Sequence, residues 1–361
     1  MTVDEENIDS KGLHPTILMA KFISNSLLAI KKIIDDPLYK NSFFILLNAF
    51  VSAIFGLLYW VLAARFYSSA DVGIATALIS VSTIIGSISG FGLGAGVVRF
   101  LPESDEKSLL FNSIWIFSLI SSLIFGIIFL LGIGFFTPAL KFLMTPWFAI
   151  IFLLFLIFQT NNGLGNASLL ALRKAEYSFA QSIGLGSRLL LLIPLEFGGV
   201  MGIFGSLGIA YAISSLIGIF ILYKLGISIK LTFRKKLIKD ISNFSLASYA
   251  IDTFLMVQSS ILPVMVLNVI GAKEAAHFYV AFSIASLLYA IPASVFMSMF
   301  IEGSHGEPLR KNLIKSLAIV SALMIPAVVV LYFFGDIILS LFSKEYSQNA
   351  YEILKLSLIH I

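Results

Sequence analysis

Arg188 is the residue with the most demanding chemistry in this chain. It sits near the middle of an apolar stretch, SFAQSIGLGSRLLLLIPLEF, about nine residues from either end. A charge placed there is costly and faces a cavity or a partner. A guanidinium suits a phosphate or pyrophosphate group, which it can hold through two parallel hydrogen bonds. The competing role is structural, with Arg188 paired to backbone carbonyls or to an acid. Asp252 lies about two turns into another apolar stretch, and Gln258 follows it. Asp252 suits a cation-coupling site or the partner of a basic residue; alternatively it lies close enough to one surface to stay hydrated. Gln159, Asn161, Asn162 and Asn166 share a third stretch. Amides there can meet sugar hydroxyls, although bonding to neighbouring helices is the commoner use. Asn48 is a similar amide nearer the N-terminus.

The remaining polar residues suggest less. Arg65 and Arg99 fall at helix ends and read as interfacial anchors, and Glu196 lies near enough to a surface to reach water. Of four histidines only His277 is inside an apolar segment, where packing is its expected role. The chain has no cysteine, which excludes disulfides, thiolate metal sites and cysteine nucleophiles. It has no His-Glu-x-x-His, no Asp-x-Asp and no P-loop. Gly90-Phe-Gly-Leu-Gly-Ala95 matches a relaxed dinucleotide fingerprint but lacks the strand that must precede it. No metal and no cofactor is expected, and the pattern does not point to an enzyme.

These residues are carried by elements that composition makes plain. Hydrophobic residues make up 58% and charged residues 12%, with a mean hydropathy of +0.98. Soluble domains carry roughly twice that charge fraction, so an all-α polytopic membrane bundle is expected. The expected spans are 43–64, 72–98, 109–135, 147–170, 178–197, 206–229, 245–268, 275–301 and 312–340, with a tenth from Asn349. The longest loop is the basic stretch Lys230–Asn243. The second span carries Gly86, Gly90, Gly92, Gly94 and Gly96. Small residues at such spacing let backbones approach, so tight packing or a bend is expected there.

Charge placement orients the spans. With the N-terminus in the cytoplasm, 18 Lys and Arg fall on the inner side and four on the outer. These cations would face anionic lipids of the inner leaflet, which sets aside nucleic acid as a partner despite the net charge of +4. Residues 1–40 read as a cytoplasmic tail. Within it, 16–34 space Met19, Phe22, Ile23, Leu27, Ile30 and Ile34 on one face, as an interfacial amphipathic helix would.

The chain also repeats itself at an offset of 203 residues, which lays Asp71 on Glu274 and the third span on the ninth. Six spans per unit make the copies parallel repeats about an axis along the membrane normal. The first lobe covers 41–232 and the second 233–361. The second stops in its fourth helix, so a fragment is expected ahead of a degenerate copy. The offset sets Asn48 next to the Asp252 position, and both would line a shared cavity. Opposite the glycines the second unit has Pro292, Ala293 and Ser294, so the lobes are not equivalent.

Several segments then carry a resemblance. Asn48, Gly56, Tyr59 and Ala63-Ala64-Arg65-Phe66-Tyr67 are followed by Ser69-Ala70-Asp71-Val72-Gly73. Gly90-Phe91-Gly92-Leu93 leads to Val98-Arg99-Phe100-Leu101-Pro102, and Arg173-Lys174-Ala175 precedes Tyr177 and Gln181. This pattern resembles the polysaccharide flippases, the Wzx-type O-antigen and teichoic-acid exporters of the multidrug/oligosaccharidyl-lipid/polysaccharide superfamily. The resemblance implies a MATE-like fold of two six-helix lobes, here with the second lobe incomplete, in a multi-pass cell-membrane protein. It implies alternating access that moves a polyprenyl-linked oligosaccharide from inner to outer leaflet, with H+ or Na+ as a coupling cation. Arg188 would then meet the pyrophosphate of that lipid, and Asp252, Asn48, Asn161, Gln159 and Gln258 would share its cavity. A cation-coupled drug antiporter is the alternative, followed by a membrane glycosyltransferase or polymerase.

Overall fold

The computed structural model describes residues 37–289, 291, 292, 295 and 309–359; the tail helix expected at 16–34 lies outside them. No strand occurs among the described residues. The helices are α1 (Pro37–Phe66), α2 (Ser69–Gly90), α3 (Leu93–Phe100), α4 (Lys107–Phe136), α5 (Pro146–Ala171) and α6 (Ala175–Gly186). They continue as α7 (Arg188–Leu192), α8 (Val200–Lys224), α9 (Lys235–Val269), α10 (Ala272–Ser286), α11 (Leu309–Ser340) and α12 (Lys344–Ile359). Of these, α1, α2, α4, α5, α8 and α11 contain stretches long and apolar enough to cross a bilayer. A chain of this composition must satisfy its backbone internally in lipid, and helices do so. The protein is a multi-pass membrane helical bundle.

Local signals set the helix starts. Ser68 caps α2: its hydroxyl accepts from the Asp71 amide at 3.1 Å and donates to the Asp71 carboxylate at 2.6 Å. Pro146 opens α5, where its missing N–H costs nothing. The 203-residue offset carries Phe66 onto Val269 and Ser69 onto Ala272, the end of α9 and the start of α10. Asp71 and Glu274 both stand in the first turn of their helices.

Three expected spans are broken, 275–301 at the 3₁₀ turn Leu287–Tyr289 that follows the end of α10 at Ser286. The segment 72–98 is two helices, because Phe91 (φ 46°) and Gly92 (φ 68°) are left-handed. Glycine takes that conformation freely, whereas Phe91 pays about 1–2 kcal/mol. The Phe91 ring offsets this by packing on Phe117 and Phe125 and stacking on Tyr249 at 5.8 Å. The segment 178–197 divides at Ser187 into α6 and the short α7, before a 3₁₀ turn at Glu196–Gly198. Gly184 and Gly186, poor helix formers, stand at that break. Boundaries also shift: α1 starts at Pro37 rather than 43, α8 covers Val200–Lys224 rather than 206–229, α9 starts at Lys235 rather than 245, and α12 at Lys344 rather than 349.

The most extensive packing of α2 is on α9 and α10, while α10 also packs on α12 and α12 on α11. The closest approach is at Gly73, where a side-chain Cβ would collide with the carbonyl of Ala272. The connector from 225 to 234 is tied to the start of α4: Ser108 and Ser113 hydroxyls accept from the Ser228 and Arg234 amides at 3.0 Å, and Arg234 pairs with Glu106 at 2.6 Å.

Candidate functional site

Arg188 opens α7 directly after the break, with its guanidinium 5.3 Å from the centre of the Tyr59 ring. Tyr59 is 1% exposed, and its hydroxyl donates to the Ile203 carbonyl at 2.7 Å beside Ser206 at 3.0 Å. The ring is therefore fixed by α8 as a platform under the cation, a contact worth about 0.5–2 kcal/mol. Gly56, one turn before Tyr59, stands beside the guanidinium: a Cβ there would lie 3.8 Å from Nη2, an ordinary van der Waals contact. Arg188 also lies within electrostatic reach of Tyr211 on α8 and Tyr279 on α10. No carboxylate pairs with it among the described residues, and its buried Nε has no hydrogen-bond partner.

The neighbouring amide is Gln159 on α5, whose side chain interacts with the Tyr211 hydroxyl. Among the described residues its buried Oε1 has no hydrogen-bond partner, and it would lie 3.5 Å from a Cβ at Gly86. Gln159 and Gly86 belong to a cavity of about 320 Å³, with Thr83, Ser87, Gly90 and Gly94 also on its wall and Met256 of α9 reaching it. The Arg188–Tyr59 pair and this cavity are linked through Gln159, which meets Tyr211 on one side and stands on the cavity wall on the other. The arrangement can receive an anionic group at Arg188 and hydroxyls at Gln159, Ser87 and Thr83.

Of the two outcomes expected for the glycine run, the bend is present and the tight packing is not. Among the described residues nothing lies within 4 Å of a Cβ added at Gly90 or Gly94, and both line the cavity. The bend falls at Gly92, while Gly96 is buried in α3. The tight contact belongs instead to Gly73. Its signal was the small-residue run at the start of α2, but nothing local names the partner.

Other expected site residues separate. Asn161 is 7% exposed and accepts from Trp115 Nε1 at 3.0 Å, an interhelical bond that takes it out of the cavity. Asn162 bonds Ser214, Asn166 bonds Ser178, and Gln181 donates to the Asn162 carbonyl at 3.0 Å, knitting α5, α6 and α8. Asn48 is half-buried on α1 and accepts from Ser52 at 3.3 Å. Asp252 and Gln258 belong to α9, but their side chains lie outside the described residues. Pro292 is partly buried in helical backbone beyond the 3₁₀ turn Leu287–Tyr289. Sequence reasoning passed over Tyr211, Tyr279 and the cavity role of Tyr59, because aromatic residues are common in membrane helices and only the tertiary fold gathers these three.

His277 is 7% exposed and packs edge-on against Tyr346 at 5.3 Å, as its isolation suggested. Its Nε2 also lies 3.4 Å from the Glu345 carboxylate. At this end of the bundle Arg65 Nε donates to the Leu341 carbonyl at 2.8 Å, so it contacts α11–α12 as well as standing at a helix end.

The fold has solved counterparts. One is the inward-facing conformation of a multidrug resistance MATE family transporter of the MOP superfamily, at 17% identity with a TM-score of 0.61, covering 84% of this chain and 76% of that one. A second is a MATE in complex with MaL6, at 19% identity with a TM-score of 0.51, covering 90% of this chain and 79% of that one. At such identity the likeness is one of fold. No curated protein matches the chain. The family model described as "Polysaccharide biosynthesis protein" matches residues 38–300. On that match, over most of its length, the chain belongs to the polysaccharide biosynthesis protein family.

Proposed function

We propose that the protein is a flippase that carries a polyprenyl-linked oligosaccharide across the cell membrane by alternating access of its two lobes. The observation that carries the reading is Arg188, unpaired by any described carboxylate and held over Tyr59, with Gln159 linking its tyrosine cluster to a cavity walled by glycines, hydroxyls and an amide. A cation in a water-poor site binds a pyrophosphate strongly, while small and hydroxylated side chains accept a bulky sugar. Membership of a polysaccharide biosynthesis family agrees with such a cargo. In this reading Arg188 holds the pyrophosphate, and Gln159, Ser87 and Thr83 meet the sugar. Asn48, Asp252 and Gln258 complete the cavity from α1 and α9.

The N-terminus is cytoplasmic, so the Asp71 end of α2 faces outward and Lys235 faces inward. Contacts of α1 and α2 with α10 and α12 then close the outer side. Anionic lipids meet the inner basic residues, and H+ or Na+ supplies the coupling. The test is reconstitution of the full chain in proteoliposomes containing a fluorescent polyprenyl-pyrophosphate oligosaccharide. Its appearance in the opposite leaflet is expected; no translocation, together with cation-driven drug efflux, would replace this reading with a drug antiporter.

A further inference from the structure

Three cavities lie end to end along α4, outside the Arg188 site, with α9 residues on the walls of the first and third. The first, about 340 Å³, has Ile85 and Ile88 of α2 as its floor, Phe125 and Ile128 on α4, and Val264 and Met265 on α9. The second, about 570 Å³, shares Phe125 with it and adds Ile120, Ile124 and Phe233. The third, about 500 Å³, shares Phe91, Phe117 and Phe233 with the second and ends on Lys235 and Lys239. The polar residues along this course are few. Thr137 and Asn268 stand at the far end, and the Ser121 hydroxyl is spent on the Ser89 carbonyl at 2.6 Å. Ile120, Ile124, Ile128 and Met265 are each at least half exposed, so the groove opens sideways to lipid.

Length and charge select an occupant. From Ile116 to Phe136 the cavities follow about 30 Å of α4 at ~1.5 Å per residue. That matches the full ~30 Å hydrocarbon core of a bilayer. An acyl chain of a phospholipid ends at the midplane, after roughly 15 Å, and would fill only part of it. A long isoprenoid chain can run through both leaflets. The two lysines are at one end only, as a single anionic head on a long tail requires.

We propose that the α4–α9 groove binds the polyprenyl chain of the lipid carrier, with its phosphate at Lys235 and Lys239. The subsite rests on the flippase reading for its cargo, and it adds a docking position separate from Arg188. The kinked Phe91 sits where the phosphate-proximal cavities meet, so its left-handed backbone sets the aromatic wall between them.

The experiment uses the full chain in phosphatidylcholine nanodiscs, with undecaprenyl phosphate carrying a diazirine on its terminal isoprene. Labelling is expected on Ile128 and Met265, whereas farnesyl phosphate with the same diazirine should label only near Phe117 and Phe233. Joint Lys235→Ala and Lys239→Ala substitution should weaken labelling about five-fold or more. Ile124→Trp, which fills the groove from an exposed position, should suppress it while leaving thermal stability unchanged. Equal labelling of Met265 by farnesyl phosphate, or loss of the label to excess phosphatidylglycerol, would make this an ordinary lipid surface and overturn the proposal. Labelling without oligosaccharide translocation would uphold the groove and remove the flippase reading. Translocation without groove labelling would do the reverse.

Discussion

Ser69 on α2 donates a hydrogen bond to the carboxylate of Glu345 on α12 at 2.8 Å, joining helices 276 residues apart in the chain. The same carboxylate oxygen stands 3.4 Å from His277 Nε2 on α10. With Arg65 bonded to the Leu341 carbonyl at 2.8 Å, three side chains fasten one end of the bundle. Below them Gly73 lets α2 touch the start of α10.

Glu345→Ala should loosen this end. The chain has no cysteine, so spin labels at Ser68→Cys and Lys344→Cys report on it cleanly. Electron-spin distances should be narrow in the parent and broader and longer in the variant. An unchanged distribution would show that apolar packing alone holds this end.

Gly73→Leu should overpack the α2–α10 contact, costing about 1–3 kcal/mol. Gly90→Ala adds a methyl to open space and should be close to neutral. Paired thermal denaturation in detergent compares them, and equal midpoints would refute the assignment of the tight contact.

Arg188→Ala should lower translocation at least ten-fold, about 1.4 kcal/mol, with normal expression and melting. Arg188→Lys keeps the charge but loses the planar fork, so it should recover only part of the rate. Tyr59→Phe keeps the ring but drops its bond to Ile203, and its effect should be smaller than that of Arg188→Ala. Full transport by Arg188→Ala would remove this residue from the cargo path.

Tyr67, in the turn between α1 and α2, donates to the Leu192 carbonyl at 2.6 Å and so anchors the short α7. Burial pushes its phenol from the usual 10.0 up to about 12, aided by Glu196 and Asp71 nearby. The fold therefore prefers the neutral phenol. Its contribution is complete below the unfolded-state value and is lost as pH rises from about 10 to about 12. Tyr67→Phe should cost about 1 kcal/mol at neutral pH and should show a smaller stability loss across that alkaline window. Melting curves against pH for parent and variant decide it; parallel curves would show that Tyr67 is not a source of the loss.

Much of the architecture was legible in the residues. Long uncharged runs dictate helices in lipid, and the 203-residue offset already aligned Asp71 with Glu274 before α2 and α10 were seen to start at equivalent positions. Arg188 was identifiable because an isolated charge among leucines has few acceptable surroundings. The break at Phe91 was harder to read. A glycine-rich run permits both packing and bending, and the choice depended on Phe91 finding Phe117, Phe125 and Tyr249 on other helices.

What only the tertiary structure decided are relationships between residues far apart in the chain. Ser69 and Glu345 are separated by 276 positions, and hydrophobic periodicity gives the buried face of each helix but not which helix lies against it. The same holds for Tyr59, Gln159, Arg188, Tyr211 and Tyr279, which five helices bring together. It also explains the glycines: Gly73 and Gly90 are identical in chemistry on one helix. One is pressed to a backbone and the other borders a cavity, because α10 reaches the first and, among the described residues, nothing comes within 4 Å of the second.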